Sequence, residues 1–294
     1  MSFHFATAEE TVLPISSAEV FFDGIFSDPK LSHPEGVAVG PDGWVWTGNQ
    51  EGDILRIAPD GSTMERVASS GGFALGLAFC GDEALFVCDL KHAAVFKLDL
   101  RTRDLTRFTQ PGILIPNYPL VDVARGRLLV SDSHGSGNPG PGIWAYDLAN
   151  GDGALWCDAT LNFANGLAMH AGDDAVYVCE TFAPSITRIP VGADGGAGTP
   201  EPFATDLPGL PDGIAFDSAG NLLVGCYEPS RLLRITPDGS RIDILIEDPT
   251  AHTFCHPTNI AFDGDQLFTA NLGRWHITRV AMDIGAPPLW QASA

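Results

Sequence analysis

The sequence predicts an all-β fold, a six-bladed β-propeller with four-stranded antiparallel blades, on three observations. One strand–Gly–strand pattern recurs six times at intervals of 40 to 48 residues, and two further short strands follow most copies. Apolar spacing of helical period is sustained nowhere for ten residues or more. The chain has 294 residues with 33 Gly, 22 Pro and 45% hydrophobic side chains, a composition that supports a packed, turn-rich core. One domain over residues 1–294 is expected.

The clearest copy is Leu210-Pro211-Asp212-Gly213-Ile214-Ala215-Phe216-Asp217, followed by Leu222-Leu223-Val224. Others are His33-Pro34-Glu35-Gly36-Val37, Phe73-Ala74-Leu75-Gly76-Leu77, Phe163-Ala164-Asn165-Gly166-Leu167 and His256-Pro257-Thr258-Asn259-Ile260, with a degenerate one at Ile115-Pro116-Asn117-Tyr118-Pro119. Third strands read as Ile54–Ile57, Val95–Leu98 and Leu232–Ile235. Turns such as Pro59-Asp60-Gly61 and Pro237-Asp238-Gly239 then lead to a more polar fourth strand such as Arg241–Ile246. A lone four-stranded sheet cannot bury both faces, whereas six arranged radially cover one another. The last copy, Thr258 to Asp283, supplies only three strands, and the spare strand Ala18–Phe22 is expected to close the ring. Gly137–Gly142 follows no strand-to-helix signal and reads as a surface or mouth loop, not a phosphate cradle.

With 16 Lys and Arg against 37 Asp and Glu, the formal net charge of -21 disfavours nucleic acid and anionic membrane as partners and concentrates cations. No apolar run is long enough to span a bilayer. Met1–Glu10 lacks the basic and apolar regions of a secretory signal. The six cysteines form no CxxC pair and mostly sit in apolar strands, so free thiols in a reducing cytoplasm are expected.

Innermost propeller strands line a central channel, and the position before the repeated Gly starts that strand. Glu35, Leu75, Asn117, Asn165, Asp212 and Thr258 should therefore converge near one end. Asn and Asp before Gly are also ordinary turn residues, a reading that accounts poorly for Glu35. Two carboxylates and two carboxamides make an all-oxygen donor set suited to a hard divalent cation. Calcium fits first, magnesium or manganese next, and zinc, which favours His and Cys, less well. A second polar phase holds Asn49, Asp89, Asp132, Glu180, Cys226 and Asn271, with either turn chemistry or channel-mouth function as its role. Trp46, Tyr118, His134, Tyr227 and Trp275 are candidate walls of a substrate pocket, and His33 and His256 candidate proton carriers.

In this order and spacing, His33-Pro34-Glu35-Gly36, Pro116-Asn117, Ala164-Asn165-Gly166-Leu167-Ala168 and Leu210–Asp217 resemble the regucalcin/gluconolactonase family of six-bladed propellers, which is similar in architecture to the paraoxonases and diisopropylfluorophosphatase. The resemblance runs from about Ser17 to Asp283. It implies that Glu35, Asn165 and Asp212 bind a divalent metal and that Asn117 helps to hold metal or substrate. It also implies hydrolysis of lactones, mostly of sugar acids. Where such members commonly carry Arg two residues before that Asn, this chain has Ile115, so a less polar lactone or ester is as much expected as a sugar-acid lactone.

The expected activity is metal-dependent hydrolysis, with the cation polarising the carbonyl, Asp212 activating water and Asn117 orienting the substrate. No G-x-S-x-G elbow provides a serine nucleophile. The alternatives are a non-catalytic binding propeller with a structural or regulatory cation, and a phosphotriesterase-type hydrolase.

Overall fold

The computed structural model describes residues 3–170 and 172–288; the expected domain also takes in residues 1, 2, 171 and 289–294, which lie outside the described ones. Five four-stranded antiparallel sheets follow one another along the chain, each pairing its strands in sequence order. The first comprises Val37–Val39, Val45–Gly48, Asp53–Ile57 and Met64–Ser69. The second comprises Ala74–Cys80, Ala84–Asp89, Ala94–Asp99 and Leu105–Arg107. Pro116–Asp122, Arg127–Asp132, Gly140–Asp147 and Gly153–Leu161 form the third. The fourth contains Ala164–His170, Asp173–Glu180, Ser185–Pro190 and Glu201–Ala204. Leu210–Phe216, Leu222–Glu228, Arg231–Ile235 and Ile242–Glu247 make the fifth.

The sixth sheet pairs Pro257–Asn271 with His276–Ala286, and His276–Ala286 with Ala18–Asp23. Its long strand doubles back: Gly264 takes a left-handed φ of 61°, and Thr258 Oγ1 donates to Ala270 O at 3.3 Å. One continuous strand thus fills the two inner positions, and the N-terminal strand supplies the outermost, pairing Ala18 with Val280 and Asp23 with His276. The ring closes as expected, and the molecule is a six-bladed β-propeller.

The core is divided among the blade interfaces. Ala168, Tyr177 and Ile186 of the fourth blade meet Ile214, Val224 and Leu233 of the fifth, and an equivalent cluster fills each of the other junctions. No blade has a core of its own, so each depends on its neighbours.

The segment preceding the closing strand has a role the sequence did not announce. Val12 N–H donates to Ile244 O at 3.1 Å and Leu13 N–H to Leu245 O at 2.7 Å, which covers the outer edge of the fifth blade. Beneath it, Arg231 is wholly buried, pairs with Glu247 at 2.8 Å and donates to Ala6 O at 2.8 Å. All six cysteines are unpaired. No helix of the described residues is long and apolar enough to cross a membrane.

Candidate functional site

In four blades the innermost strand bulges at one and the same place. Ala164 lies opposite Glu180 but Leu167 opposite Val178, so one extra residue is accommodated between them. The offset recurs between Ala74 and Leu77, Pro116 and Pro119, and Pro211 and Ile214. The extra residue falls at Leu75, Asn117, Asn165 and Asp212, and a bulge re-aims the side chain it carries. The same offset thus shapes the backbone at three of the polar positions, Asn117, Asn165 and Asp212, while Leu75 packs into the junction between the second and third blades.

The glycines that follow are set by crowding, which replaces the turn reading of the Asn-Gly and Asp-Gly pairs. Gly36, Gly76, Gly166 and Gly213 do not have left-handed backbones. A Cβ on them would lie 2.3 to 2.7 Å from Leu75 O, Asn117 O, Asp212 O and Asn259 Cα respectively, all backbone atoms of the next ring position. Where the ring meets its start, Asn259 N–H and Thr258 Oγ1 donate to Glu35 O at 3.2 and 2.7 Å.

The carboxamides are oriented by hydroxyls that have already spent their only proton. Ser133 Oγ donates to Ala164 O at 2.7 Å, so it can only accept from Asn117 Nδ2, 3.1 Å away. In the next blade Thr181 Oγ1 donates to Pro211 O at 2.7 Å and accepts from Asn165 Nδ2 at 3.2 Å. Both Asn oxygens are thereby left free. Asn117 Oδ1, Asn165 Oδ1 and Glu35 Oε2 are all buried with no hydrogen-bond partner. Buried polar oxygens are normally satisfied, so three unpartnered ones at one phase of the repeat make a candidate donor set. They fit a hard cation, whose coordination uses such oxygens without needing a proton. Among the described residues no three of His, Cys, Asp and Glu gather as a metal group, in keeping with a mixed carboxylate–carboxamide set.

The two carboxylates sense one another. Burial, then the nearby Asp212 charge, pushes Glu35 well above the usual carboxylate range. Burial raises Asp212 to about 7, although hydrogen bonds from Asn165 and Asn259 pull it down. Two adjacent anions out of water favour a bound proton or a bound cation.

The second polar phase proves to be scaffolding. Asp132 accepts the N–H groups of Leu114 and Ile115 at 2.9 Å each, just ahead of Asn117. Glu180 accepts Asn162 N–H at 2.8 Å ahead of Asn165, and Asn271 Oδ1 accepts Cys255 N–H at 2.9 Å ahead of Thr258. Asn49 Oδ1 ties Asp53 N–H at 2.8 Å, and Asp89 holds Ser70 Oγ at 2.5 Å. Cys226 is buried in an apolar cluster. These residues fasten the loops and strand ends beside the ring instead of serving the channel mouth.

The expected pocket walls divide. Tyr118 is 2% exposed and packs among Leu120, Leu129 and Leu167, so the structure assigns it to the core between blades and not to a pocket. Trp46, 3% exposed and edge-on to Phe79, belongs likewise to a blade junction. His134 holds Pro141 O at 2.8 Å through Nε2 and wedges against Gly140, bracing a strand instead of facing a substrate. Tyr227 does stand beside the centre: after burial, the charges of Glu35 and Asp212 are the largest influences raising its hydroxyl pKa. His256 stacks on Tyr227 with centroids 4.7 Å apart, and His33 lies edge-on to Trp275 at 5.0 Å.

Asn259 was missed. Its amide donates to Asp212 Oδ1 at 3.3 Å, and its own Oδ1 is a further buried orphan. The signal was present, since Asn259 occupies the position that is Gly in four other copies. Ser133 and Thr181 could have been found as the hydroxyl residues directly after the second phase.

The family model described as SMP-30/Gluconolactonase/LRE-like region matches residues 82–271. Over 129 residues the chain is 35% identical to 6-deoxy-6-sulfogluconolactonase of Pseudomonas putida, covering 43% of each chain. It is 26% identical to the adipocyte plasma membrane-associated protein of Salmo salar, over 76% of this chain and 59% of that one. These matches therefore span only about half the length of the curated relatives. Among solved structures, a calcium-binding protein, regucalcin, from Agrobacterium tumefaciens aligns with TM-score 0.76 at 19% identity, over 94% of this chain and 97% of that one. A gluconolactonase from Xanthomonas campestris aligns with TM-score 0.72 at 21% identity, over 90% and 89%. The family model alone spans well over half of the sequence, and the chain belongs to the SMP-30/gluconolactonase/LRE-like family.

Proposed function

We propose that the protein is a divalent-cation-dependent hydrolase of lactones, of the sugar-acid type or a less polar lactone or ester. The observation that carries this reading is the set of three unpartnered buried oxygens, on Glu35, Asn117 and Asn165, gathered beside Asp212. Glu35, Asn117, Asn165 and Asp212 would hold the ion, calcium first, with magnesium, manganese or zinc as alternatives. Such an ion, when bound, supplies Lewis acidity toward the lactone carbonyl.

The side chains do the rest. Asp212 accepts a proton from the attacking water at a carboxylate oxygen as the water oxygen bonds to the carbonyl carbon. The ring C–O bond then breaks and its oxygen takes up the proton that Asp212 accepted, returning the carboxylate to its starting form. Asn117, its amide pinned by Ser133, presents a fixed oxygen that positions ion and substrate.

The test is a cation-reconstituted screen of lactones, aryl esters and phosphotriesters, repeated with Asp212→Asn under saturating cation. Lactone turnover should appear and then fall about 10²–10⁴-fold in the variant. Full turnover in the variant would remove Asp212 from the role of base. No turnover of any substrate, with cation bound, would favour a binding propeller.

A further inference from the structure

We infer that the channel mouth selects a lactone or ester bearing an aryl or alkyl substituent over a polyhydroxylated one; the inference rests on the hydrolase reading above. The residues two places before the ring positions are His33, Phe73, Ile115, Phe163, Leu210 and His256, of which Leu210 is buried. Most are aromatic or aliphatic. Three of them, His33, Phe163 and His256, are held at left-handed φ of 46°, 62° and 53°. Bulky side chains rarely adopt that backbone, and it persists where the surroundings impose it.

Each of these three meets a second ring. His33 lies against Trp275 at 5.0 Å, Phe163 against Phe182 at 5.0 Å, and His256 against Tyr227 at 4.7 Å. Trp275 is itself left-handed, at 57°, and its carbonyl accepts Gly24 N–H at 3.0 Å, at the base of a loop presenting Phe26, which is 94% exposed. Phe73 and Leu90 are half-buried against the junction of the second and third blades, Ile115 is half-buried and Leu114 is 58% exposed. Aromatic walls of this kind bind flat or apolar groups through area and ring contacts.

What the rim lacks matters equally. The charges beside the ring oxygens are Glu35 and Asp212, and no Lys or Arg is among the groups that perturb either of them. Neutral hydrogen-bonding groups beside the ring include His33 Nδ1, buried without a partner, and the Tyr227 hydroxyl, whose pKa feels Glu35 and Asp212. They suffice for the two oxygens of a lactone, and a sugar ring with several hydroxyls would leave most of its own unpaired.

The test measures kcat/KM of the full chain, loaded with calcium or manganese, for dihydrocoumarin, a 5-alkyl δ-lactone and glucono-δ-lactone. The apolar substrates should be favoured about 10-fold or more. Phe163→Asn and Trp275→Asn remove the walls while keeping a residue that tolerates the left-handed backbone. Each should lower the aryl-to-sugar ratio of kcat/KM about 10-fold, chiefly through KM for the aryl lactone. Preference for glucono-δ-lactone, or a ratio untouched by both variants in protein that melts normally, overturns the inference and leaves the hydrolase reading standing. Failure to hydrolyse any lactone with either cation overturns both.

Discussion

Two places in this molecule bury carboxylates deeply, and they treat them in opposite ways. At the seam beneath the N-terminal segment, Asp248 and Glu247 are 4% and 7% exposed and fully engaged. Burial works to raise Asp248, yet hydrogen bonds from Thr250 Oγ1 and the N–H groups of Thr253, Phe254 and Thr250 hold it at about 2. Glu247 takes Arg231 on one oxygen and Ala8 N–H on the other. At the channel mouth, Asp212 is 5% exposed, yet its carboxyl is raised to about 7, and Glu35 retains a buried oxygen with no partner. Residue exposure is alike at the two places, but Asp248 gathers many more hydrogen bonds and Asp212 is the more deeply desolvated, the contrast expected between a carboxylate that builds the fold and one that serves a site.

The contrast gives opposite signs on mutation. The largest effect belongs to the seam: deleting residues 1–24 strips the sixth blade of its outer strand, uncovers the fifth and exposes Arg231 and Glu247. The truncated chain should fail to give a cooperative melt, and an unchanged melting temperature would refute closure by the N-terminal strand. Next in size, Glu247→Ala leaves Arg231 buried and uncompensated, which should destabilise by about 3–5 kcal/mol in denaturant titration. A loss under 1 kcal/mol would show that the pair is not sealed from water as drawn.

At the ring the direction reverses. Asp212→Asn removes a charge the cation-free protein holds at a disadvantage, so the variant should melt a few degrees higher than the parent at pH 8 in chelator. It should lose that advantage once calcium is added. A lower melting point in chelator would mean that Asp212 is structural, like Asp248.

The smallest effect is also a pH effect. Asp212 is raised from its ordinary value near 4 to about 7 in the fold, so its contribution to cation-free stability is present at low pH and is lost as pH rises through about 7. A bound cation removes the disadvantage of the ionised form, and it must displace protons to do so. The rise in melting temperature produced by calcium should therefore grow between pH 5 and 8. An increment flat across that range would place the ion elsewhere.

The blades were legible because strand alternation and turn residues are local and recur, and the closing strand because one blade was a strand short. The ring donors were legible through their shared phase. The second phase was legible as polar but not as scaffolding, since whether Asp132 faces a channel or two loop N–H groups depends on how a distant loop returns. Tyr118 misled for a similar reason: it sits next to a donor, and the bulge at Asn117 leaves it in the inter-blade core. The crowding behind Gly166 and Gly213 comes from the neighbouring blade, which no single repeat encodes.

The joint between Thr258 and Glu35 spans 223 residues of sequence, the longest step around the ring of donors. A chain emerging from the ribosome makes Glu35 first and cannot form this joint until Thr258 of the sixth blade has been synthesised. The donor set thus comes into being only with the final act of assembly. On the hydrolase reading proposed above, cation affinity would report completion, and a partly made propeller would have no finished site with which to trap an ion or act on a substrate.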